Sequence, residues 1–201
     1  MTIGVLALQG DFEAHRAALD RAGACAVEVR TAAGIEGVDG LVIPGGESTT
    51  MLKLLDREGL FEPLRRFGER RPIFGTCAGA ILLAKEVLRP AQASLGLMDI
   101  GVERNAYGRQ LDSHVAHLEP EEEFRSRTGG GELETVFIRA PIIRRIGPSV
   151  DVLAWYDGAP VLVEQGLHMA ATFHPELTVD DRVHRLFLAK VRATEPRASA
   201  K

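Results

Sequence analysis

Residues 72–85 read Pro-Ile-Phe-Gly-Thr-Cys-Ala-Gly-Ala-Ile-Leu-Leu-Ala-Lys, and this run carries the clearest structural pattern in the chain. The apolar run at its start predicts a short buried strand, and Ala80–Lys85 predicts a helix. Between them, Gly75-Thr76-Cys77-Ala78-Gly79 predicts a sharp turn, because small residues allow a tight backbone and a close approach of the following helix. The stretch therefore indicates a strand, a turn and a helix, with Cys77 at the turn.

Cys77 is a candidate nucleophile at this turn. The positive end of the following helix favours the thiolate over the thiol, which is the reactive form of cysteine. The alternative is a buried cysteine that packs as a small apolar residue, the commoner role of cysteine in general. The glycines at both flanks of the turn favour catalysis.

Upstream of this turn, short apolar strands alternate with amphipathic helices, which indicates an α/β protein with a mostly parallel sheet and helices on both faces. Downstream, shorter strands between turn residues indicate an antiparallel extension. The predicted strands are Thr2–Leu8, Ala24–Arg30, Gly40–Ile43, Pro72–Phe74, Gly101–Arg104, Thr135–Arg139, Val152–Tyr156, Val161–Gln165 and Met169–Phe173. The other predicted helices are Phe12–Ala22, Ser48–Glu58 and Val179–Val191, and the acidic segment Glu119–Glu134 is predicted to be a solvated loop.

Length and composition indicate one ordinary domain, for which we predict the bounds 1–193, with 194–201 as a disordered tail. A net charge of −4 and a pI near 5.9 give no electrostatic signature of a nucleic-acid partner. No apolar run approaches the ~20 residues of a membrane span, and no charged leader precedes the first strand, so the expected location is the cytoplasm. Both cysteines are expected to be thiols there, and Cys25 is predicted to be a core residue.

A cysteine nucleophile needs a base, and the segment Phe173-His174-Pro175-Glu176 combines a histidine with an orienting carboxylate. In extended backbone His174 and Glu176 project to the same side, and Pro175 favours extended geometry at His174. Glu176 can then bind one imidazole nitrogen while the other faces Cys77. The alternative is an ordinary turn with Glu176 in water, which the segment alone favours. Together with the Cys77 turn, catalysis is the better interpretation.

The remaining histidines carry no predicted chemistry. His15 and His184 lie in predicted helices, and His168 precedes a predicted strand. His114 and His117 lack a third ligand at suitable spacing, so no metal site is predicted.

The glycine-rich segment Pro44-Gly45-Gly46-Glu47-Ser48-Thr49-Thr50 follows the predicted strand Gly40–Ile43 and opens a helix. Its two glycines leave backbone N–H groups able to face a developing oxyanion, and Ser48 or Thr49 can cap the helix. Phosphate binding is the alternative for such a turn. It ranks second, because the segment lacks both the Gly-Lys-Ser/Thr ending of a P-loop and the three-glycine dinucleotide pattern.

The Cys77 turn and the His174-Pro175-Glu176 segment resemble the class I, or triad, glutamine amidotransferases. Within that class the chain resembles the glutaminase subunits of two-component pyridoxal 5′-phosphate synthases, through four further blocks in order: Leu8–Asp11, Pro44–Thr50, Glu103–Gln110 and Phe137–Pro141. The resemblance extends from about Ile3 to Val191 and implies a three-layer, flavodoxin-like class I amidotransferase fold.

The resemblance implies a reaction and its residues. Cys77 attacks the side-chain amide of L-glutamine, His174 transfers protons and Glu176 orients His174; water then hydrolyses a γ-glutamyl thioester. The implied oxyanion hole comprises Gly45, Gly46 and Ala78, and the implied substrate-binding residues are Gly46, Glu47, Ser48, Arg104, Ile138 and Arg139. A guanidinium group suits the carboxylate of an amino acid. Without the resemblance, the two arginines would be assigned to surface ion pairs.

The resemblance also implies a partner protein. Ammonia passes to a separate (β/α)₈-barrel synthase subunit, which makes pyridoxal 5′-phosphate (vitamin B6) within a hetero-oligomer, and the glutaminase chain is expected to hold no cofactor. We hypothesise that docking reorganises the Gln9-Gly10 loop near Gly46 and completes the oxyanion hole.

Two other functions stay open at the level of sequence. Another cysteine hydrolase on the same fold, such as a γ-glutamyl hydrolase, would give no role to the segments around Arg104 and Arg139. A non-catalytic binding or regulatory subunit is the second alternative. The intact set of Cys77, His174 and Glu176 argues against it.

Overall fold

A computed structural model describes residues 1–104 and 113–194. Its strands are β1 Thr2–Leu6, β2 Cys25–Val29, β3 Gly40–Ile43, β4 Ile73–Thr76, β5 Ala84–Leu88, β6 Met98–Glu103, β7 Ser113–Leu118, β8 Leu133–Ile138, β9 Ile142–Ile146, β10 Asp151–Tyr156, β11 Ala159–Gln165 and β12 His168–Ala171. Its helices are α1 Phe12–Arg21, α2 Ala32–Glu36, α3 Ser48–Arg57, α4 Phe61–Gly68, α5 Ala78–Leu83, α6 Glu122–Thr128 and α7 Arg182–Thr194, and a 3₁₀ turn covers Pro175–Leu177.

The central sheet has seven strands in the order β10-β11-β12-β4-β3-β1-β2. The five strands from β12 to β2 run parallel, and β11 and β10 add an antiparallel extension. The predicted fold class, an α/β protein with a mostly parallel sheet and an antiparallel extension, is confirmed. Ala171 pairs with Thr76, and Ile43 pairs with Gly75. The carboxyl ends of β12, β4 and β3 therefore lie side by side, where α/β proteins bind their ligands.

Helices cover both faces of this sheet, because successive residues of each strand point to opposite sides. Leu41 and Ile43 pack into one apolar core with α2, α3, α4 and α5. Val42 and Phe74 pack into the other core, with α1, α6 and α7. Small sheets formed by β5-β6-β9 and by β7-β8 flank the main one. Among the described residues, no helix combines the length and apolar character needed to cross a bilayer.

The predicted helix Ala80–Lys85 is present but ends too late, since α5 ends at Leu83 and the chain continues directly into β5. Ala84 pairs with Met98 of β6, and Glu86 pairs with Gly101. A short apolar run fits a buried helix and a buried strand equally well, so the sequence alone does not locate this boundary.

The predicted solvated loop Glu119–Glu134 is also wrong, because the segment contains α6 and the start of β8. Phe124 is fully buried beneath the sheet. Its acidic and basic neighbours pair along the exposed side of the helix, as Arg125 does with Glu122. One large aromatic residue thus anchors a charged helix that composition alone suggests is a loop.

The predicted core position of Cys25 is wrong, because this residue is exposed. It begins β2, which is the edge strand of the sheet and has a neighbour on one side only. The last helix begins at Arg182 rather than Val179, because the Asp180 carboxylate accepts a hydrogen bond from the Arg182 backbone N–H at 3.1 Å and caps the helix. His168 lies in β12 rather than in a loop.

The predicted domain bounds of 1–193 stay a prediction. Thr194 is the last residue of α7, and residues 195–201 of the predicted tail lie outside the described residues. Residues 105–112, which include much of the Glu103–Gln110 block, also lie outside them.

Candidate active site

Cys77 occupies a strained turn between β4 and α5. Its φ is 47° and its ψ is −101°, a backbone conformation that residues with a side chain rarely adopt. The Cys77 backbone N–H donates to the Ala171 carbonyl at 2.8 Å, which ties the turn to β12. A Cβ atom on Gly75 would come within 2.5 Å of the Gly79 carbonyl oxygen, so the turn requires glycine there. The predicted strand, turn and helix are present.

His174 and Glu176 follow β12 and reach the same edge of the sheet. The His174 Nδ1 atom lies 2.7 Å from Glu176 Oε1, and both side chains are buried. The His174 backbone N–H donates to the Val136 carbonyl at 2.8 Å, which fixes the segment against β8. Because Nδ1 is engaged by the carboxylate, Nε2 is the ring nitrogen that remains for Cys77.

The imidazole and the cysteine meet beside Gly45. A Cβ atom on Gly45 would lie 3.1 Å from His174 Nδ1 and 3.3 Å from Cys77 Cβ, and it would overlap His174 Cε1. Three adjacent strands, β3, β4 and β12, therefore deliver the glycine, the thiol and the imidazole to one point.

The electrostatics favour a charged His174. Burial alone lowers the pKa of His174, but its hydrogen bonds to Cys77 and Glu176 outweigh burial and raise the pKa to about 10. Burial would raise the pKa of Glu176, but His15 and His174 outweigh that effect and hold the pKa below its usual value. Near neutral pH the His174 imidazole thus carries a proton, as a general acid requires.

A cavity opens next to Cys77, and all six predicted substrate-binding residues line it. Its lining consists of Gly46, Glu47, Ser48, Cys77, Ile81, Arg104, Ile138, Arg139 and Pro141. Ile81 and Pro141 are not among the predicted site residues; the first belongs to α5, and the second closely follows the Ile138-Arg139 pair. The structure thus brings together residues from four separate segments of the chain.

Arg104 presents a fixed positive charge to this cavity. Its side chain is buried, and Nη2 donates to Thr49 Oγ1 at 2.7 Å and lies 3.6 Å from Glu47 Oε1. The Glu47 carboxylate also caps α3, accepting from the Thr50 backbone N–H at 2.7 Å. Burial would raise the pKa of Glu47, but the hydrogen bonds from Thr50 and Thr49 together outweigh it and lower the pKa to about 2. The negative charge that holds Arg104 is therefore permanent near neutral pH.

Arg139 also lines this cavity, directly after the end of β8. It is exposed, and with a φ of 45° it joins Cys77 as a lining residue other than glycine that has a positive φ. Strained backbone at residues other than glycine is concentrated at functional sites. The two guanidinium groups in the lining of the cavity suit a ligand that carries a carboxylate.

The Gln9-Gly10 loop lies against the glycine-rich turn. Gln9 Nε2 donates to the Glu47 carbonyl at 3.0 Å, and the Glu47 backbone N–H donates to Gln9 Oε1 at 3.4 Å. A Cβ atom on Gly10 would overlap the Gly45 carbonyl oxygen. The side chain of Gln9 thus clamps both the backbone N–H and the backbone carbonyl of Glu47.

Two buried histidines, for which the sequence predicts no chemistry, lie behind the triad. His15 and His184 are fully buried, and His15 Nε2 lies 3.3 Å from Glu176 Oε2. One indication of a role could be found in the sequence: both histidines lie on the apolar faces of α1 and α7, where a buried histidine needs a polar partner. In residues 1–104 and 113–194, no three His, Cys, Asp or Glu side chains are grouped so as to hold a metal ion.

This geometry agrees with the comparisons to known proteins. A model of the SNO glutamine amidotransferase family matches residues 5–193. The chain belongs to this family. The amidotransferase is 62% identical to the pyridoxal 5′-phosphate synthase subunit PdxT of Solibacter usitatus, over 94% of this chain and 98% of that relative. It is 52% identical to the subunit of the same name from a strain of Thermus thermophilus, over 92% of this chain and 95% of the relative.

Solved structures give the same result for the amidotransferase. A crystal structure described as a glutamine amidotransferase superposes with a TM-score of 0.85 at 49% identity, covering 94% of this chain and 98% of the other. The PurLQS structure from Thermotoga maritima has a TM-score of 0.66 at 18% identity, which shows a shared fold alone. The predicted family and the class I amidotransferase fold are confirmed, and the chain is an enzyme of the glutamine amidotransferase class.

Proposed function

We propose that this amidotransferase hydrolyses L-glutamine to L-glutamate and ammonia, and that a pyridoxal 5′-phosphate synthase subunit uses the ammonia. One observation carries the proposal: Cys77 lies on a strained turn beside a buried His174–Glu176 pair, at the floor of a cavity that Arg104 and Arg139 line. A cysteine sulfur that has given its proton to the imidazole, together with guanidinium groups, is what an amide substrate with a carboxylate at its far end requires.

The first half of the reaction acylates the enzyme. The Cys77 sulfur attacks the side-chain amide carbon of glutamine, and the carbonyl oxygen becomes an oxyanion. The backbone N–H groups of Gly46 and Ala78 are the proposed donors to it, because the first N–H groups of a helix such as α5 have no partner within the helix. His174 donates its proton to the amide nitrogen, the C–N bond breaks, and ammonia leaves a γ-glutamyl thioester on Cys77.

The second half regenerates the enzyme. His174, now neutral, removes a proton from a water molecule that attacks the thioester carbonyl. The C–S bond breaks, glutamate leaves, and the thiolate and the imidazolium are restored. Glu176 keeps Nδ1 protonated throughout, so that Nε2 performs both proton transfers.

The partner is proposed from the names of the relatives, which are subunits of pyridoxal 5′-phosphate synthase. We place this chain in the cytoplasm in a hetero-oligomer with a (β/α)₈-barrel synthase subunit. The Gln9 clamp supports partner control, because movement of Gln9 would release both hydrogen bonds that hold the backbone of Glu47 beside Gly46. Docking would then rotate the neighbouring Gly45–Gly46 peptide so that the Gly46 N–H completes the oxyanion hole.

Glutamate release tests this function. The purified chain is mixed with a pyridoxal 5′-phosphate synthase subunit and L-glutamine, and glutamate is measured with and without the synthase. We expect a marked increase when the synthase is present. Equal rates in both samples would remove the partner-control proposal, and no release in either would remove the glutaminase assignment.

Gly45→Ala should impair catalysis with little loss of stability. The added methyl group would overlap the His174 ring and displace it from Cys77, and displacements of this size cost about 10²-fold in rate. The measurement is kcat for glutamate release together with the melting temperature. The matched control is Gly130→Ala, because a Cβ atom on Gly130 meets no atom within 4 Å. Equal kcat values for the two variants would contradict the proposed geometry.

Arg104→Met should weaken substrate binding. Methionine keeps much of the apolar stem but removes the charged hydrogen bonds to the carboxylate, which are each worth about 1.5–3 kcal/mol. KM for glutamine is expected to rise about 10-fold to 100-fold, with a smaller change in kcat. The control is Arg57→Met, since Arg57 is exposed and pairs with Glu58 away from the cavity. An unchanged KM for Arg104→Met would show that Arg104 does not bind the substrate.

A further inference from the structure

A buried polar cluster lies directly behind the triad, between the sheet and two helices. Phe74 and Thr76 point to the same face of β4, toward α1 and α7. Thr76, His15 and His184 are all fully buried there. His15 Nδ1 lies 3.2 Å from His184 Nε2, and His15 Nε2 lies 3.0 Å from Thr76 Oγ1. Buried polar groups of this kind are costly unless their hydrogen bonds are satisfied.

The cluster ends at the oxygen of Glu176 that the triad does not use. Glu176 Oε1 is bound by His174, whereas Oε2 has no hydrogen-bond partner of good geometry in the described part of the chain. His15 Nε2 lies 3.3 Å from Oε2 and is engaged with Thr76 at the same time. A fully buried carboxylate oxygen needs a donor. The His15 ring is placed to supply it.

The geometry determines which nitrogen of His15 carries the proton. A lone pair on Nε2 would face the Glu176 carboxylate at 3.3 Å, which is repulsive, whereas an N–H there is attracted to both Glu176 and Thr76. Nδ1 of a neutral His15 then accepts from His184 Nε2–H. His184 Nδ1 lacks a hydrogen-bond partner among the described residues. In this arrangement it carries a lone pair, so no buried N–H is left without an acceptor there.

We propose that His15, in the Nε2–H tautomer that His184 enforces, is a positioning residue for the triad, which holds the second oxygen of Glu176 and keeps that carboxylate ionised. The proposal rests on the proposed glutaminase function of the same site. His15 touches neither the substrate nor the reacting atoms, and it acts through Glu176 and His174.

The surrounding charges are consistent with a neutral pair. Burial lowers the pKa of His15, against the attraction of Glu176 and Asp11 and together with the repulsion of His174. Burial also lowers the pKa of His184 to about 3, with His15 and Arg21 acting in the same direction and Glu176 against them. Both rings are therefore uncharged near neutral pH. His15 acts on Glu176 through its Nε2–H dipole, with the nitrogen 3.3 Å from Oε2.

The ionisation of Glu176 makes the triad depend on pH. The pKa of Glu176 is held below its usual value, so the ionised carboxylate is present above that pKa and is lost as the pH falls through it. Removing the His15 donor raises the pKa of Glu176. Acid inactivation of the triad then begins at a higher pH.

The test compares His15→Leu, which removes the donor, with His15→Gln, which keeps an N–H near the position of Nε2. Both are made in a Cys25→Ser background, because the exposed Cys25 would also be alkylated. The rate of Cys77 alkylation by iodoacetamide is measured against pH, and kcat and KM for glutamine are measured with the synthase subunit. The alkylation needs no glutamine, so failure of the proposed function leaves this readout intact.

We expect His15→Leu to lower kcat about 10-fold to 100-fold with little change in KM, as loss of a supporting partner typically does. We also expect the acid limb, the fall in the rate of Cys77 alkylation at low pH, to move to higher pH. His15→Gln should restore most of kcat and the original limb. The proposal is overturned if His15→Leu leaves the limb in place, or if His15→Gln is as impaired as His15→Leu. A merely structural role would lower the melting temperature without moving the limb.

A measurement on the unmodified chain guards against a variant that fails to fold. Nitrogen-15 NMR of the imidazole rings is expected to show His15 and His184 as neutral Nε2–H tautomers that do not titrate near neutral pH. A proton on Nδ1 of His15 would overturn the proposal, whatever the variants do.

Discussion

Cys77→Ala is expected to abolish glutamine hydrolysis, with a fall of at least about 10⁴-fold in kcat, because it removes the proposed nucleophile and with it the proposed thioester. The rest of the site can still bind glutamine, but no other thiol lies near the His174 imidazole: Cys25, the second of the two cysteines, is at the far start of edge strand β2. The fold should be retained, since alanine keeps Cβ at the strained turn. The measurement is glutamate release in the presence of the synthase subunit.

The matched control is Cys25→Ser. Cys25 is exposed, so serine should leave both activity and melting temperature near those of the unmodified chain. A thiol-alkylating glutamine analogue followed by mass spectrometry should add one label to the unmodified chain and to Cys25→Ser, and none to Cys77→Ala. Rapid glutamate release by Cys77→Ala, or a label on Cys25 alone, would contradict the assignment of the nucleophile.

The parts of the site that could be predicted from sequence are those governed by local rules. The turn at Cys77 could be predicted because Gly75 and Gly79 flank it, as a tight strand-to-helix connection requires. The pairing of His174 with Glu176 could be predicted because side chains two residues apart in an extended chain point to the same side. Their meeting point follows from the parallel sheet, in which the carboxyl ends of neighbouring strands adjoin. The fold class rests on the same alternation of strands and helices.

The parts that could not be predicted depend on long-range packing. Phe124 turns an acidic segment into a helix because of what it packs against, and Cys25 is exposed because β2 lies at the edge of the sheet. His15 and His184 meet although 169 positions separate them in the chain. No period or motif in either helix shows that the other histidine is its partner. Spatial proximity alone assigns them to the site.

Glu176→Gln is expected to lower kcat about 10²-fold to 10⁴-fold, by analogy with replacement of the orienting carboxylate in serine proteases. Ring nitrogens approach both oxygens of Glu176: His174 Nδ1 at 2.7 Å from Oε1 and His15 Nε2 at 3.3 Å from Oε2. A carboxylate accepts from both nitrogens, but the glutamine amide has one oxygen, so one ring must face an NH₂ group. Either His174 takes the wrong tautomer or His15 loses its acceptor. The measurement is kcat for glutamate release.

The titration of His174 identifies the cause of that loss. Glu176 is one of the groups that raise the pKa of His174 to about 10, so the pKa should fall in Glu176→Gln, and the imidazolium should be lost at lower pH than in the unmodified chain. Glu69→Gln, on an exposed ion pair with Arg65, is the control and should leave both kcat and the titration unchanged. If Glu176→Gln retained full kcat while His174 titrated at lower pH, the imidazole would not need its carboxylate. A fall in kcat together with a fall in the pKa of His174 would show that Glu176 acts by fixing the proton on Nδ1 and the charge on the ring.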